Sequence, residues 1–85
     1  MKTEDDMRVL IVNALVDIKA LTADAAKALM KNKTQNLELA SLGIDSMAVI
    51  NFCNALEEGL GREIEIEELV EHATLNSLAK HFANA

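Results

Sequence analysis

Ser46 follows Asp45 at the head of a long amphipathic pattern, and that placement makes its hydroxyl a candidate for chemistry. Asp45 is a natural helix N-cap, because its carboxylate can accept from the free N–H groups of a first helical turn. Ser46 then falls at the first helical position, at the positive end of the helix dipole. A phosphate-linked group added there would face unpaired backbone donors. A catalytic nucleophile would need a base within hydrogen-bond reach. His72 and His81 come much later in the chain, and no Gly-x-Ser-x-Gly elbow surrounds Ser46. The local residues therefore disfavour a triad. They leave open a plain helix-start serine, a phosphorylation site and a prosthetic-group site.

The elements that position this serine can be read from hydrophobic spacing. Behind Ser46 a helix is expected to about Leu60, with Val49, Phe52, Cys53, Leu56 and Leu60 in one narrow stripe that forms its core face. Ser46 lies at the edge of that stripe. Met47, Asn51, Asn54 and Glu58 fall on the opposite face, so Met47 is a large apolar side chain pointing outward beside the serine. A single exposed apolar residue is ordinary, but methionine adapts to varied surfaces and is a plausible anchor for a partner. Gly59 and Gly61 are expected to end the helix. Ahead of it, Leu37, Leu39, Leu42 and Ile44 read as an apolar loop laid on the bundle, with Gly43 supplying backbone freedom before the cap.

The other helices follow from the same spacing. Thr3 and the acids after it open a first helix over about 4–19, with Met7, Leu10, Ile11, Ala14, Leu15 and Ile18 on one side. Residues 21–36 read as a loop containing a possible short helix capped at Thr22-Ala23-Asp24, followed by a polar turn over 31–36. A short helix over 66–72 would bury Ile66, Leu69 and Val70. A last helix capped by Thr74 would bury Leu75, Leu78, Ala79 and Phe82. The expectation is an all-α fold: a small four-helix bundle, three main helices plus one short one, with a long loop between the first two.

Composition sets the bounds. Eighty-five residues suit one small domain over 1–85 and leave little room for a large enzyme cleft. Hydrophobic residues make up 51% and charged residues 26%, which is globular rather than disordered. The absence of proline favours helices over a turn-rich β fold. A net charge of −6 argues against nucleic acid and for partners with basic surfaces. Phe52 and Phe82 are too few for a base-stacking platform. Cys53 is the only cysteine, so no internal disulfide is possible and a reducing compartment is expected. The acidic start lacks a signal-peptide core, and no apolar run approaches the ~20 residues of a membrane span. The expected protein is soluble and cytoplasmic. His72 and His81 have no further ligand pair at metal spacing, so no metal site is expected.

The run Leu42-Gly43-Ile44-Asp45-Ser46-Met47, in the middle of a short acidic helical chain, resembles the signature of acyl carrier proteins and related peptidyl and aminoacyl carrier domains. That signature is a Leu-Gly-aliphatic-Asp-Ser run followed by Leu or Met. The resemblance covers residues 37–83 in sequence and residues 5–30 in pattern. It implies a monomeric carrier with no catalytic residue of its own. Ser46 would be the attachment residue for 4′-phosphopantetheine, donated by coenzyme A through a phosphopantetheinyl transferase and Mg²⁺. Asp45 would help the transferase engage the site. The arm's thiol would hold acyl or aminoacyl cargo as a thioester. A loading ligase or transferase would supply that cargo, and a downstream synthase or acyltransferase would take it.

The resemblance also assigns partner contacts. Related carriers use acids on the helix after the serine and on the short helix that follows it to meet basic patches, and Asp45, Glu57 and Glu58 match that habit. With Met47, Asn51 and Asn54 they form the expected partner face. Ala48 and Asn51 depart from the habit, since bacterial fatty-acid carriers usually place acids there. This points away from a housekeeping fatty-acid role and toward a specialised carrier in fatty-acid, polyketide or related biosynthesis, for secondary metabolites, an unusual acyl chain or an amino acid. Methionine after the serine also occurs in D-alanyl carriers, which keeps aminoacyl cargo open. From another class, the chain could be an unmodified helical interaction module.

Overall fold

The computed structural model describes residues 3–32 and 35–84. Helix α1 spans Glu4–Asp17. Thr3 caps it through a reciprocal pair: Asp6 N–H donates to Thr3 Oγ1, and Thr3 N–H donates to Asp6 Oδ2. Its buried side is Met7, Ile11, Val12, Ala14 and Leu15. The helix stops two residues before the spacing suggests. Lys19 takes a left-handed conformation (φ +64°), and Ala20 and Lys19 donate back to the carbonyls of Leu15 and Val16. That is a Schellman stop with lysine where glycine is usual.

Helix α2, Ala23–Lys31, turns the possible short helix into a definite one. Thr22 caps it by accepting from Ala25 N–H, and Ala26 and Leu29 are buried. Lys33 and Thr34 of the expected polar turn lie outside the described residues.

The middle of the apolar loop becomes a 3-10 turn over Leu39–Leu42. It is pinned to the start of the last helix. Leu39 N–H donates to Ala73 O and Leu75 N–H to Leu37 O, both at 2.8 Å, around a single antiparallel bridge between Glu38 and Thr74. Asn36 Oδ1 adds a third tie by accepting from Asn76 N–H.

Helix α3 spans Ser46–Leu60, as its spacing predicts. Gly61 ends it in a left-handed conformation (φ +71°). Gly59 has a different role from the one expected. It lies inside α3 with Leu10 of α1 packed where a Cβ would stand, so it permits close helix contact rather than ending the helix. Helix α4, Ile66–Glu71, is also corrected. Only Leu69 is buried, while Ile66 and Val70 are 50% and 72% exposed. Six residues form too short a helix to bury a full stripe. Helix α5, Leu75–Ala83, is capped by Thr74 and buries Leu75, Leu78, Ala79 and Phe82. One apolar core unites α1, α2, α3 and α5 with Leu39, Ile64 and Leu69. The architecture is a small all-α bundle.

Two polar groups inside this bundle were not anticipated. Arg8 is buried, and its guanidinium donates to the carbonyls of Leu29 and Gln35 and to Asn76 Oδ1. It therefore fastens the segment after α2 to α1 and α5. Glu68 accepts from Glu65 N–H and Arg62 and lies 2.8 Å from His81 Nε2. The partners of Arg8 lie 21 to 68 residues away in the chain, whereas Glu68 joins a local cap at Glu65 to His81, 13 residues further on.

Candidate functional site

Asp45 and Ser46 stand at the junction between the 3-10 turn and α3. Asp45 is extended (φ −88°, ψ −177°), and its Oδ1 accepts from Ala48 N–H at 2.8 Å. Its carbonyl accepts from Val49 N–H at 3.0 Å. The amides of Ser46 and Met47 at the same helix end have no preceding helical carbonyl to bond. Gly43 supplies the turn into this cap with φ +64°. Ser46 itself is exposed. A reachable hydroxyl at the positive end of a fifteen-residue helix suits a phosphodiester, whose oxygens would be met by backbone donors.

The proposed partner residues separate into two groups. Met47, Asn51, Asn54 and Glu58 are all exposed, on one side of α3. Glu57 is half-buried, and its Oε2 accepts from Ile64 N–H at 2.9 Å, so it braces the connector after α3. Phe52, Cys53 and Leu56 face the core, with Val49 and Leu60 half-buried. Burial pushes the Cys53 thiol up, and the nearby carboxylates of Glu57 and Glu68 push it further. It remains a neutral thiol packed as a small apolar group.

Sequence spacing missed a groove beside the serine. A cavity of about 360 Å³ opens between α3, α4 and the 3-10 turn. Leu39, Ala40, Ile44, Val49, Phe52, Ile66, Leu69, Val70 and Ala73 line it. No lining residue has a polar side chain. Ile44 and Val49 flank Ser46 in sequence, one before it and one after it. The signal was available as the excess of apolar residues over what α4 could bury, but only the fold shows that Ile66 and Val70 face the same space as Val49.

Helix α4 forms one wall of that groove and is anchored by Glu68. Burial by itself would raise the Glu68 pKa. The hydrogen bonds from Glu65 N–H, His81 and Arg62, with the Arg62 charge, outweigh it and hold the carboxylate at about 2, down from 4.5. Around it, His81 stacks on His72 with ring centroids 4.3 Å apart. Arg62 lies 5.5 Å from the centre of the Phe82 ring. His72 Nδ1 is 3.1 Å from Ser77 Oγ. These contacts tie α4 to α5 and to the connector. Among the described residues, no group of three or more His, Cys, Asp or Glu side chains could hold a metal ion. No described helix is long and apolar enough to cross a membrane.

The model of a family described as "Phosphopantetheine attachment site" matches residues 17–82. No curated protein and no solved structure matches the chain.

Proposed function

The chain belongs to the acyl carrier protein family, whose members bear covalent 4′-phosphopantetheine and act as carriers rather than enzymes, and from that premise we propose that Ser46 bears the arm and that the cargo is an acyl chain. The observation that carries this reading is the exposed Ser46 hydroxyl at the capped start of α3, beside a groove lined by apolar side chains alone. In the loading step, Ser46 Oγ forms a bond to a phosphorus of coenzyme A. The pyrophosphate P–O bond breaks, the adenosine-bisphosphate half leaves, and the transferase takes the hydroxyl proton. Once attached, the arm supplies a thiol that holds cargo as a thioester. Asp45 fixes the helix start that presents Ser46, and its carboxylate is the residue a transferase would read beside it.

The groove favours acyl over aminoacyl cargo. Each methylene moved from water into such a lining gains about 0.8 kcal/mol. The ammonium of an aminoacyl group would find no polar partner there and would lose hydration. An acyl chain loaded on the arm is therefore expected to raise the unfolding temperature as it lengthens, until the groove is filled. The aminoacyl thioester is expected to leave it unchanged. A flat response to acyl length would remove the support for acyl cargo and favour the aminoacyl reading, which the methionine after the serine also suits. The setting proposed is a cytoplasmic pathway for a specialised acyl or polyketide-like product. A loading ligase or transferase and a downstream synthase or acyltransferase would be its partners.

A further inference from the structure

We infer that the stacked imidazoles of His72 and His81 form a pH-sensitive latch on α4, closed while the pair carries one proton and opened by loss of that proton or gain of a second. His72 stands at the C-terminal end of α4, where its N–H donates to Glu68 O at 3.1 Å. His81 belongs to α5, and the two rings lie nearly parallel, at 16°, with centroids 4.3 Å apart. His81 Nε2 is 2.8 Å from Glu68 Oε1, and the same oxygen accepts from Arg62 at 3.0 Å. His72 Nδ1 is 3.1 Å from Ser77 Oγ on α5. The part these contacts hold is the most weakly packed of the bundle. Leu69 is the only buried residue of α4, and Ile66 and Val70 line the groove. Opening the latch therefore moves a groove wall. That this governs an acyl chain rests on the reading of the groove given above; the latch itself does not.

The charges around the rings set the direction of each step. Glu68 is an ionised carboxylate and can only accept, so His81 Nε2 carries the hydrogen between them in either charge state. With a proton on His81 this is a charge-assisted bond, roughly twice as strong as the neutral one. Losing the proton weakens the tie between α4 and α5. A second proton, on His72, places two like charges face to face across the stack, and they repel. Arg62 on the same carboxylate adds to that excess of positive charge. Helix α3 carries no Lys, Arg or His, so it brings no competing cation. Its Glu57 is bonded to Ile64 N–H, and its Cys53 thiol is neutral. The remaining charged side chains nearby, Glu67 and Glu71 on α4 and Lys80 on α5, are exposed. Histidine is the side chain whose ordinary range brings both steps into the span of about pH 5 to 8. Glu68 stays ionised across that span.

Amide hydrogen exchange of the full, unmodified chain tests this, once corrected for the pH dependence of the intrinsic rate. Protection of residues 64–72 relative to α3 is expected to peak near about pH 6.5 and to fall about fivefold on either side, by about pH 5 and about pH 8.5. His72→Phe keeps a ring in the stack but cannot take the second proton. It should abolish the loss on the acid side and keep the loss on the alkaline side. His81→Gln should flatten the profile on both sides. Protection of α3 should be the same in all three proteins, which separates an opened latch from an unfolded bundle. A flat profile in the unaltered chain would overturn the inference, and so would a peak that persists in His81→Gln. Because the chain tested carries no arm, failure to attach phosphopantetheine at Ser46 would leave this result standing.

Discussion

His81 Nε2 stands 2.8 Å from Glu68 Oε1, and this contact joins α5 to the short helix that walls the groove. Leu69 is the only buried residue of α4. The helix therefore depends on polar anchoring more than the others do. A groove wall held this way can shift without unfolding the core, which would suit the proposed admission and release of an acyl chain.

The Glu68 carboxylate should make stability depend on acid pH. Its folded pKa of about 2 lies below the ordinary 4.5. The folded state thus binds fewer protons than the unfolded state between those values, and stability rises with pH there. The contribution is fully present above about pH 4.5 and is lost as pH falls toward 2. Unfolding curves of the protein and of Glu68→Gln should differ most above pH 4.5 and converge near pH 2. Parallel curves across that range would show that Glu68 is not the anchor.

Phe52 and Met47 sit five residues apart on α3 and should respond oppositely. Phe52 is 1% exposed and fills the core. Phe52→Ala is expected to lower stability by roughly 3–5 kcal/mol. Met47→Ala should stay within about 0.5 kcal/mol. Urea denaturation would decide, and the reverse order would mean the helix is rotated from its assigned phase.

Removing Arg8 should loosen the segment after α2. Arg8→Met would leave the carbonyls of Leu29 and Gln35 and the amide oxygen of Asn76 without their donor. The expected loss is about 2–3 kcal/mol, since the buried Leu29 carbonyl loses its partner and the part-buried contacts at Gln35 and Asn76 go with it. Arg8→Lys should rescue little, because an ammonium cannot reproduce the guanidinium fork. Full rescue by lysine, measured by denaturation, would contradict this geometry.

Lys19 offers a gain instead. Its φ of +64° carries a steric penalty that glycine does not have. Lys19→Gly should stabilise the protein by about 0.5–1 kcal/mol. A thermal shift in the other direction would mean the lysine side chain makes a compensating contact.

The readable and unreadable parts of this chain divide by range. Helix α3 was legible to the residue because Asp45 and Gly61 mark its ends within its own sequence. Thr22 and Thr74 mark α2 and α5 in the same way. Gly59 looked like a stop because its reason is Leu10, on another helix. The roles of Arg8 and of the Glu68–His81 contact were not legible because Arg8's partners and His81 come from distant segments. Ile66 and Val70 looked like core because spacing cannot show that a six-residue helix has only one buried position. The groove follows from that last error, since the apolar side chains that α4 leaves uncovered are part of its lining. At the site, the Asp45 cap and the exposure of Met47 were legible, while the bracing role of Glu57 was not.

The most direct test of the central claim is the intact mass of the protein after incubation with coenzyme A, Mg²⁺ and a broad-specificity phosphopantetheinyl transferase. The account predicts a gain of one phosphopantetheine group, absent in Ser46→Ala while that variant remains folded. No gain on the unaltered chain, or a gain that persists in Ser46→Ala, would contradict it.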